Sequence, residues 1–174
     1  MTYLFETNEH AELRRNVKRF AEREIAPYAH AWEEAEEFPR DLYSKAASAG
    51  LLGIGYPEEW GGAGGDLTHG VVAGEELVLS GHSVGTCVGL NSHGIALPPI
   101  LRFGNDAQKK KFVAPVLGGE KVSALAITEP SAGSDSGAIR TDAPATSAID
   151  IDVSDGAALF LAAEPVGEFD GFVP

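Results

Sequence analysis

Apolar residues near the start of the chain recur at steps of three and four. Leu13, Val17, Phe20, Ala21 and Ile25 share one face, and Arg14, Arg15, Lys18, Arg19, Glu22 and Arg23 fill the other. That pattern predicts an amphipathic helix capped by Thr7 or Asn8. Pro27 disturbs it, because proline has no N–H to donate; Tyr28, Trp32 and Ala35 predict a further helical stripe among Glu33, Glu34, Glu36 and Glu37. Pro39 opens a short helix through Leu42, Tyr43, Ala46 and Ala47, closed by Gly50, which accepts a left-handed conformation without penalty. The segment GIGYPEEWGGAGGD is a loop whose backbone can approach something closely, although an ordinary glycine-rich connection is the commoner case. A helix resumes at Asp66 through Leu67, Val71, Glu75 and Val78. Leu77 to Leu101 carries no charge and reads as a helix buried inside a soluble protein. A last helix, capped by Asn105, carries Lys109, Lys110 and Lys111, read as solvated and as favourable charge toward its C-terminal half.

The period changes at Lys121. Val122 to Thr128 alternates small and apolar residues over a strand-like length and ends in the turn Glu129-Pro130-Ser131-Ala132-Gly133-Ser134-Asp135. Further on, Ile149, Ile151 and Val153 alternate with Asp150 and Asp152 as in a half-buried strand, while Ala157 to Ala163 is an apolar run that fits either strand or helix. There is no internal repeat.

Composition narrows the classes. The 174 residues are 44% hydrophobic, enough for a folded core, which sets whole-chain disorder aside. The formal charge of -13 opposes binding to a phosphate backbone, where affinity comes from Lys and Arg displacing counterions. No Lys or Arg follows Arg140, so residues 142–174 form an acidic tail of different composition. One cysteine, Cys87, excludes an internal disulfide framework and a Cys-rich zinc site, which fits a reducing cytoplasm. The start MTYLFETNEH has neither a basic, apolar signal nor an Arg-rich transit pattern, and a cytoplasmic protein is expected. The uncharged stretch is long enough to span a membrane, but its serines, histidines, Asn91 and Pro98-Pro99 oppose that reading.

Gly81-His82-Ser83-Val84-Gly85 matches the G-x-S-x-G elbow of α/β-hydrolases, a fold that needs an acid and then a histidine after the serine. No histidine follows His93, so a serine hydrolase using Ser83 ranks last. His10, His30, His69, His82 and His93 lack the i, i+4 spacing that puts two ligands on one helical face, and no metal site is expected. His82 and His93 read as hydrogen-bonded structural residues, and Cys87 as a small buried one. ALAITEPSAGSD is different: a strand ends at Thr128, Pro130 stiffens the exit, and Ser131, Gly133, Ser134 and Asp135 leave backbone donors and hydroxyls exposed. Spacing alone favours an ordinary strand-to-loop turn there.

ALAITEPSAGSDSGAIRT resembles the flavin-binding signature of the acyl-CoA dehydrogenases. FAEREIAPYAHAWEEAEEFPRDLYSKAASAGLLGIGYPEEWGGAGGD and LPPILRFGNDAQKKKFVAPVLGGEKVSALAITEPSAGSD resemble the family's N-terminal helical domain in order, from about residue 5 to Thr141. The resemblance implies a mainly α fold: an N-terminal helical bundle of the acyl-CoA dehydrogenase type (1–121), then the first strand and flavin-signature loop of a β-domain (122–141), then a divergent acidic tail (142–174). It places Leu125, Ala126, Ile127, Thr128, Glu129, Pro130, Ser131, Ala132, Gly133 and Ser134 along FAD, with Thr128 nearest the flavin ring and Ser134 also at the acyl-CoA. Leu125 and Ala126 stand where many members carry an aromatic residue and a Cys or other small residue, so main-chain contacts carry over better there than side-chain ones.

The family reaction is α,β-dehydrogenation of an acyl-CoA, by proton abstraction and hydride transfer to flavin, with electron-transfer flavoprotein as the usual reoxidant. Family members are more than twice this length, continuing through a second flavin strand and a helical domain that supplies the catalytic base. No tryptophan follows Trp60 to match the second flavin motif, and residues after Thr141 do not align. A truncated or fused N-terminal portion with no assignable catalytic residue is therefore expected, since the family does not use the positions of Glu129 and Asp135 as its base. The alternative is a noncatalytic helical module whose exposed apolar surface drives association with a partner or with itself.

Overall fold

A computed structural model describes residues 3–124, 134–135, 138, 149–153 and 157–161. The helices are α1 (Asn8–Glu24), α2 (Ala29–Ala35), α3 (Asp41–Ser48), α4 (Leu67–Gly81), α5 (Val84–Leu90), α6 (His93–Phe103) and α7 (Asp106–Leu117). Strands β1 (Val122–Ala124), β2 (Ile149–Val153) and β3 (Ala157–Leu161) form one sheet in the order β1-β3-β2, with β3 parallel to β1 and antiparallel to β2. The mainly α expectation holds; the alternating segment is strand β2, and the apolar run from Ala157, which fitted either type, is strand β3.

The predicted stripe makes the core. Val17, Phe20, Ala21 and Ile25 of α1 pack with Leu42 and Ala46 of α3, Ala73 and Leu77 of α4, and Leu90 of α5. Each fully buried large side chain contributes about 1.5–3 kcal/mol before entropy is counted. Helices α1 and α4 run side by side in the same direction: His10 meets Thr68 at their starts, and Gly81 lies against Ile25 at their ends. A second cluster joins Tyr56, Leu97 and Ile100 to Phe112, Val113, Val116 and Leu117, seating α7 on α6.

The expected caps of α1 and α7 are present, Thr7 rather than Asn8 serving α1, and the helix that resumes at Asp66 is capped by that residue. Thr7 caps α1; the Asp66 carboxylate accepts from the Thr68 and His69 amides at the start of α4; Asn105 Oδ1 accepts from the Gln108 amide at 2.9 Å. Gly50, at φ 74°, follows α3 as expected.

Two expectations are corrected. The uncharged stretch is not one buried helix: α4 ends at Gly81, Ser83 caps α5, and Asn91-Ser92 separates α5 from α6. Val84, Val88 and Ile95 in it are exposed. Lys109, Lys110 and Lys111 lie in the first half of α7, so they gain nothing from the helix C-terminus. Lys109 Nζ instead sits 5.6 Å from the Trp60 ring centre, a cation–π contact.

The glycine-rich loop closes on itself. It contains a 3₁₀ turn at Glu58–Trp60 and a bridge between Ile54 and Gly64. A Cβ at Gly62 would stand 2.1 Å from the Tyr56 carbonyl oxygen, so that glycine is required by internal packing.

Candidate functional site

The segment expected to meet flavin begins at β1, which packs against α6. The Ser92 hydroxyl donates to the Ser123 carbonyl at 3.1 Å, tying the α5–α6 junction to the strand. The side chain of Ser123 is buried, 1% exposed, and its Oγ has no hydrogen-bond partner among the described residues. Of the predicted residues, Leu125, Ala126, Ile127, Thr128, Glu129, Pro130, Ser131, Ala132 and Gly133 lie outside the described residues. Ser134 and Asp135 are exposed.

Beside the α5–α6 junction lies a cavity of about 210 Å³ between α1, α3, α4 and the loop after α3. Val17, Ala46, Leu52, Leu77 and Leu90 give it apolar walls; Gly70, Gly74 and Gly94 border it, and among the described residues no Asp, Glu, Lys or Arg lines it. Its polar side chains are already engaged. His93 Nδ1 lies 3.0 Å from the Leu90 carbonyl, the Tyr56 hydroxyl donates to the His93 carbonyl at 3.3 Å, and Asn91 Nδ2 donates to the Cys87 carbonyl at 2.9 Å. Burial pushes the His93 pKa down, against the pull of the Leu90 and Leu52 carbonyls, so the ring favours its neutral form. Burial pushes the Tyr56 hydroxyl up to about 12. The cavity is thus uncharged and suits an apolar occupant.

Ser83 has no hydrolase geometry. It sits between two helices rather than after a strand, its Oγ accepts from the Thr86 amide at 3.0 Å, and it donates to Glu33. Among the described residues no hydrogen bond links it to a histidine. His82 ends α4 in the left-handed region at φ 58°, a structural role. Cys87 is half-buried, and burial raises its thiol pKa, the reverse of an activated thiolate.

Sequence reasoning missed one cluster. His10, Asp66 and His69 bring ligating atoms within 4.8 Å of one another from two helices far apart in the chain. Both histidines serve as the third helical residue of a capping box, where His10 Nδ1 accepts from the Thr7 amide and His69 Nδ1 from the Asp66 amide, each at 3.2 Å. The rings stack with centres 4.2 Å apart and planes 27° apart, so the two imidazoles do not converge on one point. His10 Nε2 lies 2.9 Å from Thr68 Oγ1, and His69 Nε2 is buried without a hydrogen-bond partner among the described residues. Bonds from Thr68 and His69 hold the Asp66 carboxyl well below the usual range.

Among the described residues, seven helices with β1 packed against α6 define a mainly helical fold. The family described as acyl-CoA dehydrogenase, N-terminal domain, matches residues 7–120. An acyl-CoA dehydrogenase of Bacillus subtilis is 39% identical over 137 residues, covering 79% of this chain and 36% of the relative. A 3-(aryl)acrylate reductase of Clostridium sporogenes is 35% identical over 165 residues, covering 95% of this chain and 43% of the relative. The crystal structure of acyl-CoA dehydrogenase from Geobacillus kaustophilus superposes with a TM-score of 0.71 at 34% identity, covering 79% of this chain and 36% of that one. The chain belongs to the acyl-CoA dehydrogenase family and spans well under half the length of these curated relatives. Among the described residues, no helix is long and apolar enough to cross a membrane.

Proposed function

We propose that this chain is the N-terminal portion of an FAD-dependent acyl-CoA dehydrogenase, with residues 1–121 as its helical domain, 122–141 opening its β-domain and 142–174 as an acidic tail. The carrying observation is the family match over residues 7–120, which runs directly into β1. Leu125 to Ser134 line FAD in this reading, and Ser134 also contacts the acyl-CoA. Main-chain amides and the Thr128 and Ser131 hydroxyls suit the polar edge of a flavin. Ser123 Oγ, buried at the root of the segment and without a hydrogen-bond partner among the described residues, is a further polar position there.

FAD supplies the hydride acceptor when bound. The chain's own part is to hold acyl-CoA against that face and keep water out of the apolar cavity. The overall reaction proposed is α,β-dehydrogenation of an acyl thioester, in fatty acid or related acyl metabolism, with electron-transfer flavoprotein as reoxidant and the cytoplasm as location. No residue is assigned as catalytic base. Titrating the purified chain with FAD tests the reading: saturable quenching of flavin fluorescence that weakens in Thr128→Ala supports it, and no saturable quenching overturns it.

A second reading, a noncatalytic helical module that associates with a partner or with itself, is favoured by the exposed Leu67, Leu79, Val84, Val88, Ile95 and Phe103. Light scattering decides it, since a monomer at high concentration counts against association.

A further inference from the structure

His69 carries a ring nitrogen that the fold does not use. The imidazole itself is held firmly: Nδ1 lies 3.2 Å from the Asp66 amide and 2.9 Å from Asp66 Oδ1, and one face stacks on His10. The glycine-rich loop closes on the ring as well, since a Cβ at Gly65 would stand 3.0 Å from His69 Cγ. Nε2 is left buried without a hydrogen-bond partner among the described residues. Glu9 Oε1 stands 3.8 Å from it, beyond the reach of a hydrogen bond. A buried polar atom with its bond unmade carries a cost that a ligand would remove.

The surroundings favour a cation. Glu9 and Glu12, one turn apart on α1, border with His69 a cavity of about 270 Å³ that no Lys or Arg lines among the described residues. Ala49 and Gly50 line it too, which adds the negative end of α3. The starts of α1 and α4 oppose a cation, but each amounts to about half a charge, against the three carboxylates of Glu9, Glu12 and Asp66.

Distance and donor type select the ion. Bonds of about 2.0–2.2 Å to one imidazole nitrogen and one carboxylate oxygen let a single ion bridge atoms up to about 4 Å apart, and the His69–Glu9 separation of 3.8 Å falls within that. Neutral imidazole with carboxylates suits a borderline transition ion such as zinc, whereas magnesium prefers oxygen and water alone. Nε2 can bind a metal only with the ring proton on Nδ1. Asp66 Oδ1, at 2.9 Å, is placed to accept that proton, and a carboxylate behind the ring is how metal-bound imidazoles are commonly held. The ring then exchanges the bond from the Asp66 amide for a stronger one to a charged acceptor.

We propose that His69 Nε2, Glu9 and Glu12 bind one divalent transition ion of the zinc type, with water completing its shell, and that the ion staples the start of α4 to α1. This site stands independently of the acyl-CoA reading.

The test titrates Zn²⁺ into the 174-residue chain, freed of metal by chelation, and follows binding by calorimetry and the histidine ring nitrogens by NMR. One ion per chain should bind and raise the melting midpoint, and the His69 signals should move to those of a ring protonated at Nδ1. Mg²⁺ at the same concentration should do neither. Glu9→Gln changes an exposed side chain that serves neither cap, and should weaken Zn²⁺ binding by about tenfold or more while the metal-free chain melts as before. Asp66→Asn retains a good capping residue and should weaken binding by about tenfold to a hundredfold. His30→Gln, at an exposed histidine of α2, should leave binding unchanged. The site is overturned if Zn²⁺ does not bind, if Glu9→Gln binds it as tightly as the native chain, or if the His69 signals stay in place while the ion binds. Binding lost in His10→Gln but kept in Glu9→Gln, or lost in His30→Gln, overturns this ligand set as well.

Discussion

Arg14 of α1 and Glu75 of α4 meet with 2.6 Å between Nη2 and Oε2. The same Nη2 reaches Glu6 at 2.7 Å, while Nη1 lies 3.5 Å from Glu76. One guanidinium thereby fastens the chain ahead of α1 to the helix beside it, and its planar fork suits several carboxylates at once.

That cluster gives stability a defined pH dependence. Hydrogen bonds from Arg14 hold the Glu6 and Glu75 carboxyls below their ordinary value, and the Arg14 pKa is raised in turn, first by Glu6. Groups with lowered folded pKa values stabilise above the unfolded pKa, and that contribution disappears as pH falls through the folded values. The urea midpoint should therefore fall on acidification below about 4.5, the ordinary glutamate value. Arg14→Leu should lower the midpoint at pH 7 and flatten the acid limb; an unchanged limb would show that other carboxylates carry it.

Leu97 is fully buried in the cluster that joins α6 to α7, whereas Ile95, two residues before it, is 63% exposed. Leu97→Ala should cost about 2–5 kcal/mol by chemical denaturation, through lost burial and the void left behind. Ile95→Ala should stay within about 0.5 kcal/mol.

Gly62→Ala should destabilise by about 3 kcal/mol, because its Cβ would collide with the Tyr56 carbonyl. Gly50→Ala meets open space and carries only left-handed strain, about 1–2 kcal/mol. Denaturation midpoints of the two variants, measured together, separate collision from strain.

Ser83→Ala should lower stability by about 1 kcal/mol through loss of the α5 cap. Hydrolysis of a p-nitrophenyl ester should be the same with variant, native chain and buffer. Native activity that vanishes in the variant would restore the hydrolase reading.

What was legible in the sequence was whatever polarity contrast marks. The 3.6-residue alternation around Val17 and the candidate caps Thr7 and Asn105 located α1 and α7, and the apolar spacing from Leu67 located α4, because buried faces and unpaired helix-end amides require those residue types. The breaks at Ser83 and Asn91 were not legible, since small uncharged residues within an uncharged stretch give no contrast, and only tertiary contacts such as Ser83 with Glu33 reveal them. The approach of His10 to His69 depends on the parallel packing of α1 and α4, which no local pattern encodes. The cavity was invisible for the same reason: its walls come from separated stretches of the chain. The flavin-signature residues were identified by resemblance, and all of them but Ser134 lie outside the described residues.

The capping boxes at the starts of α1 and α4 are wired together. His10 seals the first turn of α1 and touches Thr68, whose hydroxyl is also bonded to Asp66, the residue that seals α4. Fraying at one start weakens the other, because opening the first turn of α1 removes a partner from the beginning of α4. The two starts therefore form one cooperative latch, and amides from chain positions nearly sixty residues apart should exchange with solvent in a single opening event.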